Sequence, residues 1–228
     1  LHLFVQRLIL ISIFHNGEYL MILCDIGNST FDFFYDEHTI KLDINSSYLP
    51  EFDNDKELYY VSVNDMAAHK LKQKYPNAVN ISKHIKLDTK YQGLGIDRAI
   101  TCSYVKDALI IDAGSAITVD LMEDGKHMGG YILPGIKAIH NLYKTISPKL
   151  DFELEIQELI GLPLNTKDAI SYGVFNAIFL PLQKTARTAK NVIVTGGDGE
   201  IVSKYIHNSI YDKNLIFKAM QSIIKEHR

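Results

Sequence analysis

The sequence has no tryptophan, only two cysteines (Cys24 and Cys102) in 228 residues, and no surplus of either charge. Two cysteines cannot build a disulfide framework, and the nine histidines do not fall into zinc-finger spacing with them. A reducing compartment, the cytoplasm, is therefore expected. Lys plus Arg number 24 against 27 Asp plus Glu, a net charge of −3 that cannot neutralise a phosphate backbone, so nucleic acid is not expected as the main partner. Long hydrophobic runs are missing too. The apolar stretch over residues 1–14, interrupted by Arg7, falls short of the roughly 20 residues that cross a bilayer, and His15, Asn16, Gly17 and Glu18 follow it where a cleavage site would need small residues. No membrane partner is expected; residues 1–20 read as an upstream extension, with the fold beginning near Met21. Nor is there a G-x-G-x-x-G after a strand, a G-x-x-x-x-G-K-[ST] loop or a G-x-S-x-G elbow, which excludes a Rossmann layout and leaves any phosphate chemistry to another cradle.

What is present is enough for a sizeable core: 46% hydrophobic against 22% charged residues suits one large or two small domains. Apolar, β-rich runs over 21–26, 31–35, 39–44 and 58–63 read as strands separated by polar turns. Asn64 can cap a helix over 65–75 that Pro76 stops. Helices are further expected over 98–105, 136–146, 168–184, near 200–206 and over 214–226, with buried-type strands at 108–112 and 191–195. Two segments share one form, apolar strand, Asp, one residue, Gly, small polar residue: Asp25-Ile26-Gly27-Asn28-Ser29 and Asp112-Ala113-Gly114-Ser115. A β-rich run follows each. The repetition points to an α/β fold of two duplicated halves with mixed sheets and a cleft between them, 21–105 and 106–228.

An Asp at a strand end followed by Gly and a hydroxyl residue suits a site for phosphates and metal. The carboxylate holds Mg²⁺ or its waters, Gly lets backbone N–H groups approach phosphate oxygens, and Ser or Asn donates a hydrogen bond. Taken singly, either turn could be a tight hairpin whose Asp and Ser satisfy backbone donors; two copies in matching contexts favour the cradle. Gly95-Ile96-Asp97-Arg98 offers different tools. Asp97 can accept a proton from a hydroxyl, or simply cap a helix, and Arg98 can grip a carboxylate or phosphate while keeping Asp97 ionised. Gly196-Gly197-Asp198 at a strand–helix turn would let a nucleotide base or ribose lie against the backbone.

Six motifs in order, D-I-G-N-S at Asp25, G-I-D-R at Gly95, D-A-G-S-A-I-T-V-D at Asp112, G-G-Y-I-L-P-G at Gly129, N-T-K-D-A-I-S-Y-G at Asn165 and T-G-G-D at Thr195, resemble type III pantothenate kinase. That family is a branch of the acetate and sugar kinase, Hsp70 and actin superfamily, and the likeness covers nearly all of the chain after residue 20. The resemblance implies a duplicated ribonuclease H-like, actin-like ATPase fold and transfer of the ATP γ-phosphoryl group to pantothenate, the first step of coenzyme A synthesis. It also implies Mg²⁺, a monovalent cation (K⁺ or NH₄⁺) and a homodimer. By the same likeness Asp25, Ile26, Gly27, Asn28, Ser29, Thr30, Phe31 and Asp32 form the first phosphate loop, with Asp25 near the metal-nucleotide. Ser115 supplies the second loop's hydroxyl, where Thr is more usual, and Asp112 the monovalent-cation ligand. Asp97 matches the proton acceptor. Tyr91, Gly95, Ile96, Asp97 and Arg98 match the pantothenate loop, Arg98 facing the substrate carboxylate, and Thr166 matches a contact that can come from the partner subunit.

The chain departs from the pattern at two places. The spacer Tyr91-Gln92-Gly93-Leu94 is short and lacks Pro, and Phe31, Asp32 and Phe33 stand where a basic residue is common, which shifts phosphate charge onto metal ions and backbone donors. Cys24 and Cys102 read as small core groups and the histidines as surface or helix-end residues. Two other readings stay open, a non-catalytic nucleotide-binding accessory or regulatory protein and a kinase of another small hydroxy acid.

Overall fold

A computed structural model describes residues 21–53, 55–156 and 161–227; the expected extension over 1–20 lies outside the described residues. The first half opens with strands β1 (Ile22–Ile26), β2 (Thr30–Tyr35), β3 (His38–Asp43) and β4 (Leu58–Ser62), then helix α1 (Asp65–Lys74) and β5 (Val79–Asn80). These strands lie in the order β3-β2-β1-β4-β5. β2 runs antiparallel to β1 and β3, whereas β4 runs parallel to β1 and β5. β1, flanked on both sides, is apolar almost throughout; β3, at the edge, carries polar residues and is exposed along most of its length. As expected, the Asn64 side chain caps α1, accepting the Ala67 N–H at 3.1 Å.

β6 (Asp88–Thr89) and α2 (Ile96–Tyr104) follow, then β7 (Ala108–Ala113), β8 (Ala116–Glu123), β9 (Lys126–Pro134), α3 (Ile136–Ile146), α4 (Thr166–Ala186), β10 (Val192–Thr195), α5 (Gly199–Ser203), β11 (Ser209–Tyr211) and α6 (Leu215–His227). The second sheet has the order β11-β10-β7-β8-β9-β6. Read from β9 to β11, it repeats the first sheet strand for strand, with the same directions. The duplication extends to the turns. Asp36 and Glu37 (φ 49° and 61°) close the β2–β3 hairpin, and Asp124 and Gly125 (φ 49° and 75°) close the β8–β9 hairpin, both two-residue turns with positive φ that match the right-handed strand twist.

Each sheet buries one face under its own helices. Ile22, Ile26, Phe31 and Phe33 pack with Ala67 and Leu71 of α1, while Leu109, Ile111, Ile117 and Val194 pack with Ile170, Val174, Ile178 and Leu182 of α4. The last helix returns to the first sheet: Phe217, Met220 and Ile223 of α6 meet Leu23, Phe34, Val61 and Ile100, with the Phe34 and Phe217 rings stacked at 5.0 Å. Each such fully buried side chain contributes about 1.5–3 kcal/mol, so α6 ties the chain's end to its beginning. Both cysteines are free and buried, as the sequence suggests.

Candidate active site

Asp25 and Asp112 occupy the same place in the two sheets, near the C-terminal end of the central strand, where an antiparallel neighbour lies on one side and a parallel one on the other. That is where open α/β sheets leave a crevice for ligands. Each Asp is followed by a turn closed by a glycine N–H, from Gly27 to the Thr30 carbonyl at 2.9 Å and from Gly114 to the Ala116 carbonyl at 3.0 Å. The turns face each other. Ser29 Oγ and Ser115 Oγ are 2.9 Å apart, so the two loops singled out in the sequence meet across the cleft.

Carboxylates crowd this cleft. Burial, followed by the charges of Asp32, Asp112 and Asp97, holds the Asp25 carboxyl well above the usual range. Burial, followed by Asp97, pushes Asp112 up to about 6. Lys41 of β3 pulls the other way on both, and its Nζ donates to Asp32 Oδ2 at 3.0 Å. A basic group thus stands beside the first loop, supplied by the neighbouring strand. Asp32 is the cross-strand partner of Asp25, and its Oδ1 is buried with no hydrogen-bond partner among the described residues. An orphaned carboxylate oxygen beside the raised carboxyls of Asp25 and Asp112 fits a hard cation with oxygen ligands.

The Gly-Gly-Asp turn closes the cleft floor. Gly196 has φ +89°, and a Cβ there would lie 2.4 Å from Asp112 Oδ1 and 2.5 Å from the Ala113 carbonyl. The Asp198 N–H donates to that carbonyl at 2.9 Å. Gly196 thus lies against Asp112, whereas a Cβ at Gly197 would meet open space.

α2 begins earlier than the sequence suggests, with Gly95 as N-cap, so Asp97 is the second helical residue and not the cap. There it suits the positive end of the helix, and its Oδ1 accepts the Arg98 N–H at 2.8 Å. Its charge raises both Asp25 and Asp112. The Arg98 side chain pairs with a different carboxylate. It is 5% exposed, and its Nε and Nη2 donate to the two oxygens of buried Asp120 at 2.8 and 2.6 Å. Its Nη1 donates to the Tyr91 hydroxyl at 3.4 Å, and the Tyr91 ring covers the guanidinium at 4.8 Å. Thr166 is exposed at the first position of α4, and no hydrogen bond or ion pair among the described residues joins it to this cleft.

Sequence reading overlooked Asp120 and His127. Asp120 ends the D-A-G-S-A-I-T-V-D motif, and an acidic residue inside an apolar strand signals a buried partner. His127 is no surface residue: it is buried, with Nε2 2.8 Å from Asp120 Oδ1.

Two sheets of one topology with opposed aspartate loops define the actin-like ATPase fold class. The activator of 2-hydroxyisocaproyl-CoA dehydratase from Clostridium difficile, solved with bound ADPNP, shares that fold at a TM-score of 0.51 and 10% identity, over 91% of this chain and 97% of that one. Residues 60–187 match the family model of type III pantothenate kinase. Curated type III pantothenate kinases of Wolinella succinogenes and Helicobacter hepaticus are 41% and 44% identical over 207 residues, covering 90% of this chain and 97% and 99% of theirs. A solved Campylobacter jejuni protein, described as a conserved candidate Baf family transcriptional activator, is 39% identical at a TM-score of 0.77 over 91% of this chain and 98% of that one. The chain belongs to the type III pantothenate kinase family.

Proposed function

We propose that the chain transfers the γ-phosphoryl group of ATP to the terminal hydroxyl of pantothenate, giving 4′-phosphopantothenate at the entry to coenzyme A biosynthesis. The observation that carries this reading, beside the family, is the meeting of the two aspartate loops at Ser29 and Ser115 with Asp97 in the same field of charge.

In this reading the turn after Asp25, with Asn28 and Ser29, and Ser115 opposite donate hydrogen bonds to the phosphates. Asp25 and Asp32 hold the divalent cation, which when bound neutralises phosphate charge as it develops. Asp112 holds the monovalent cation, K⁺ or NH₄⁺. The acceptor oxygen bonds to the γ-phosphorus, the bond from phosphorus to the bridging oxygen of ADP breaks, and the hydroxyl proton passes to Asp97. Asp97 Oδ1 accepts the Arg98 N–H, which orients the carboxylate. A loose transition state asks little of the base beyond orientation and eventual proton acceptance. Tyr91, Gly95, Ile96 and Arg98 form the acceptor pocket.

Residues 21–105 and 106–228 are the two halves that bound the cleft, exchanging one element each, β6 onto the second sheet and α6 onto the first, and Thr166 reaches a partner's pocket in a homodimer. The support for the dimer is an uncovered apolar surface: α3 has no buried residue, and Leu142, Ile146, Leu164 and Leu180 are 58%, 65%, 99% and 59% exposed. Free, buried cysteines support a cytoplasmic setting, and no helix among the described residues is long and apolar enough to cross a membrane. Mass spectrometry of a reaction with ATP, Mg²⁺ and pantothenate tests the reading: monophosphorylated pantothenate is expected, and the alcohol analogue lacking the carboxylate is a poor acceptor. A product from another hydroxy acid alone would overturn the substrate, and no product at all would overturn the activity.

A further inference from the structure

Behind the acceptor pocket lies a closed ring of hydrogen bonds that starts and ends on one residue. The Tyr91 N–H donates to Thr89 Oγ1 at 3.0 Å. Thr89 Oγ1 lies 2.8 Å from His127 Nδ1, and His127 Nε2 lies 2.8 Å from Asp120 Oδ1. Asp120 takes both Nε and Nη2 of Arg98, whose Nη1 returns to the Tyr91 hydroxyl. The direction of each link follows from its neighbours. An aspartate paired with a guanidinium only accepts, so His127 Nε2 carries a proton, and in the neutral imidazole Nδ1 then accepts from the Thr89 hydroxyl, whose lone pair receives the Tyr91 N–H.

The backbone is arranged around this ring. The two-residue strand β6 pairs Thr89 with His127 on the outer edge of β9, a pairing with no counterpart in the first sheet. Gly130, opposite Asp120 on β9, leaves the space the ion pair needs: a Cβ there would lie 2.6 Å from Asp120 Oδ1 and 2.9 Å from Arg98 Nη2. Cys102, Asp120 and His127 also group their ligating atoms within 4.8 Å. Both His127 nitrogens and both Asp120 oxygens are already engaged in the ring, and burial, the largest cause, pushes the Cys102 thiol far up, so Asp120 and His127 serve hydrogen bonding and the group is not read as a metal site.

We propose that Thr89, His127 and Asp120 are positioning residues for the acceptor, acting through Tyr91 and Arg98; the proposal rests on the pantothenate reading above. Asp120 fixes the guanidinium through its Nε edge and cancels its charge. Arg98 then meets an acceptor carboxylate as an aimed donor. The longest link, Arg98 Nη1 to the Tyr91 hydroxyl at 3.4 Å, is where that carboxylate inserts, taking one hydrogen bond from each. Without the ring, Tyr91 and Arg98 still reach the pocket but are no longer aimed.

The test compares Thr89→Val, which keeps shape and loses the hydroxyl, with Thr89→Ser, which keeps the hydroxyl, and His127→Ala with His127→Gln, whose amide can donate to Asp120 and accept from Thr89. KM is measured for pantothenate and for ATP in each, with Tm alongside. Thr89→Val and His127→Ala are expected to raise the KM for pantothenate by roughly fivefold to tenfold, the change that loss of one buried hydrogen bond brings. The KM for ATP stays within about twofold, and Thr89→Ser and His127→Gln recover most of the loss. Should Thr89→Val fail to fold, the His127 pair carries the comparison. Equal KM for pantothenate across the variants, or equal losses toward both substrates, overturns the ring's role alone. A wild type that does not turn over pantothenate overturns the acceptor reading, and this proposal with it.

Discussion

The two halves share one strand plan, one pair of aspartate turns and one type of hairpin, yet they differ where chemistry is assigned. In the first half the residue across from Asp25 is Asp32, backed by Lys41; in the second the residue across from Asp112 is Thr118. After β4 the chain leaves through Val63, whose N–H bonds the Ile26 carbonyl at 3.0 Å, while after β10 it leaves through Gly196, which crowds Asp112, and Asp198, whose N–H bonds the Ala113 carbonyl at 2.9 Å. The outer edges differ most. β3 is bare and polar, whereas β9 takes on β6 and with it the segment that leads to Tyr91, Asp97 and Arg98. In the proposed reading a duplicated frame gives two phosphate loops, and acceptor chemistry is added at the edge of one sheet. Symmetry supplies the shared cradle, and its breaking supplies the acceptor.

Several substitutions break or sharpen this contrast. Asp97→Asn removes the proton acceptor from the added segment alone. Turnover should fall by about 10²- to 10⁴-fold with the fold and ATP binding retained, read by steady-state kinetics beside nucleotide titration. Gly196→Ala attacks the turn peculiar to the second half. With φ +89° and a Cβ 2.4 Å from Asp112 Oδ1, it should lower stability by more than about 1 kcal/mol in denaturant unfolding, and no change would mean that the turn relaxes freely.

The carboxylates give a pH signature. Asp112 stands at about 6 in the fold against roughly 3.9 unfolded, so the folded state holds its proton more tightly and this group's stabilisation is full below about pH 4. It is lost as pH rises through about 6. Asp112→Asn should remove that falling component from the Tm of the ligand-free protein between about pH 4 and 6, and parallel Tm profiles for the two proteins would contradict it. The smallest effect belongs to Lys41→Met. Its side chain is 55% exposed, so stability should move by no more than about 1 kcal/mol, while the KM for ATP rises by about twofold to fivefold.

The sequence made much of this legible because the informative features are local. Each Asp-x-Gly turn carries its own signature within five residues, and the Asn64 cap follows from side-chain chemistry beside an amphipathic run. What escaped is what distant residues decide. β5, β6 and β11 have two or three residues each, too few for any periodicity, and exist because a neighbouring strand offers an edge. Arg98 was legible as a grip but not its partner, since Asp120 lies 22 residues away on another strand. His127 looks like a surface residue until the β8–β9 hairpin places it beside Asp120. Lys41 reaches the cleft from β3, outside the loop where a basic residue was sought.

The central claim, that the cleft between the aspartate loops hands a phosphoryl group to an acceptor held beside Asp97, meets its most direct test in ADP release. Purified protein is supplied with ATP and Mg²⁺, with and without pantothenate, in potassium and in sodium buffer, and Asp97→Asn is run in parallel. The account predicts pantothenate-dependent release, stimulated by potassium and nearly absent in the variant. Release at the wild-type rate from Asp97→Asn would contradict it.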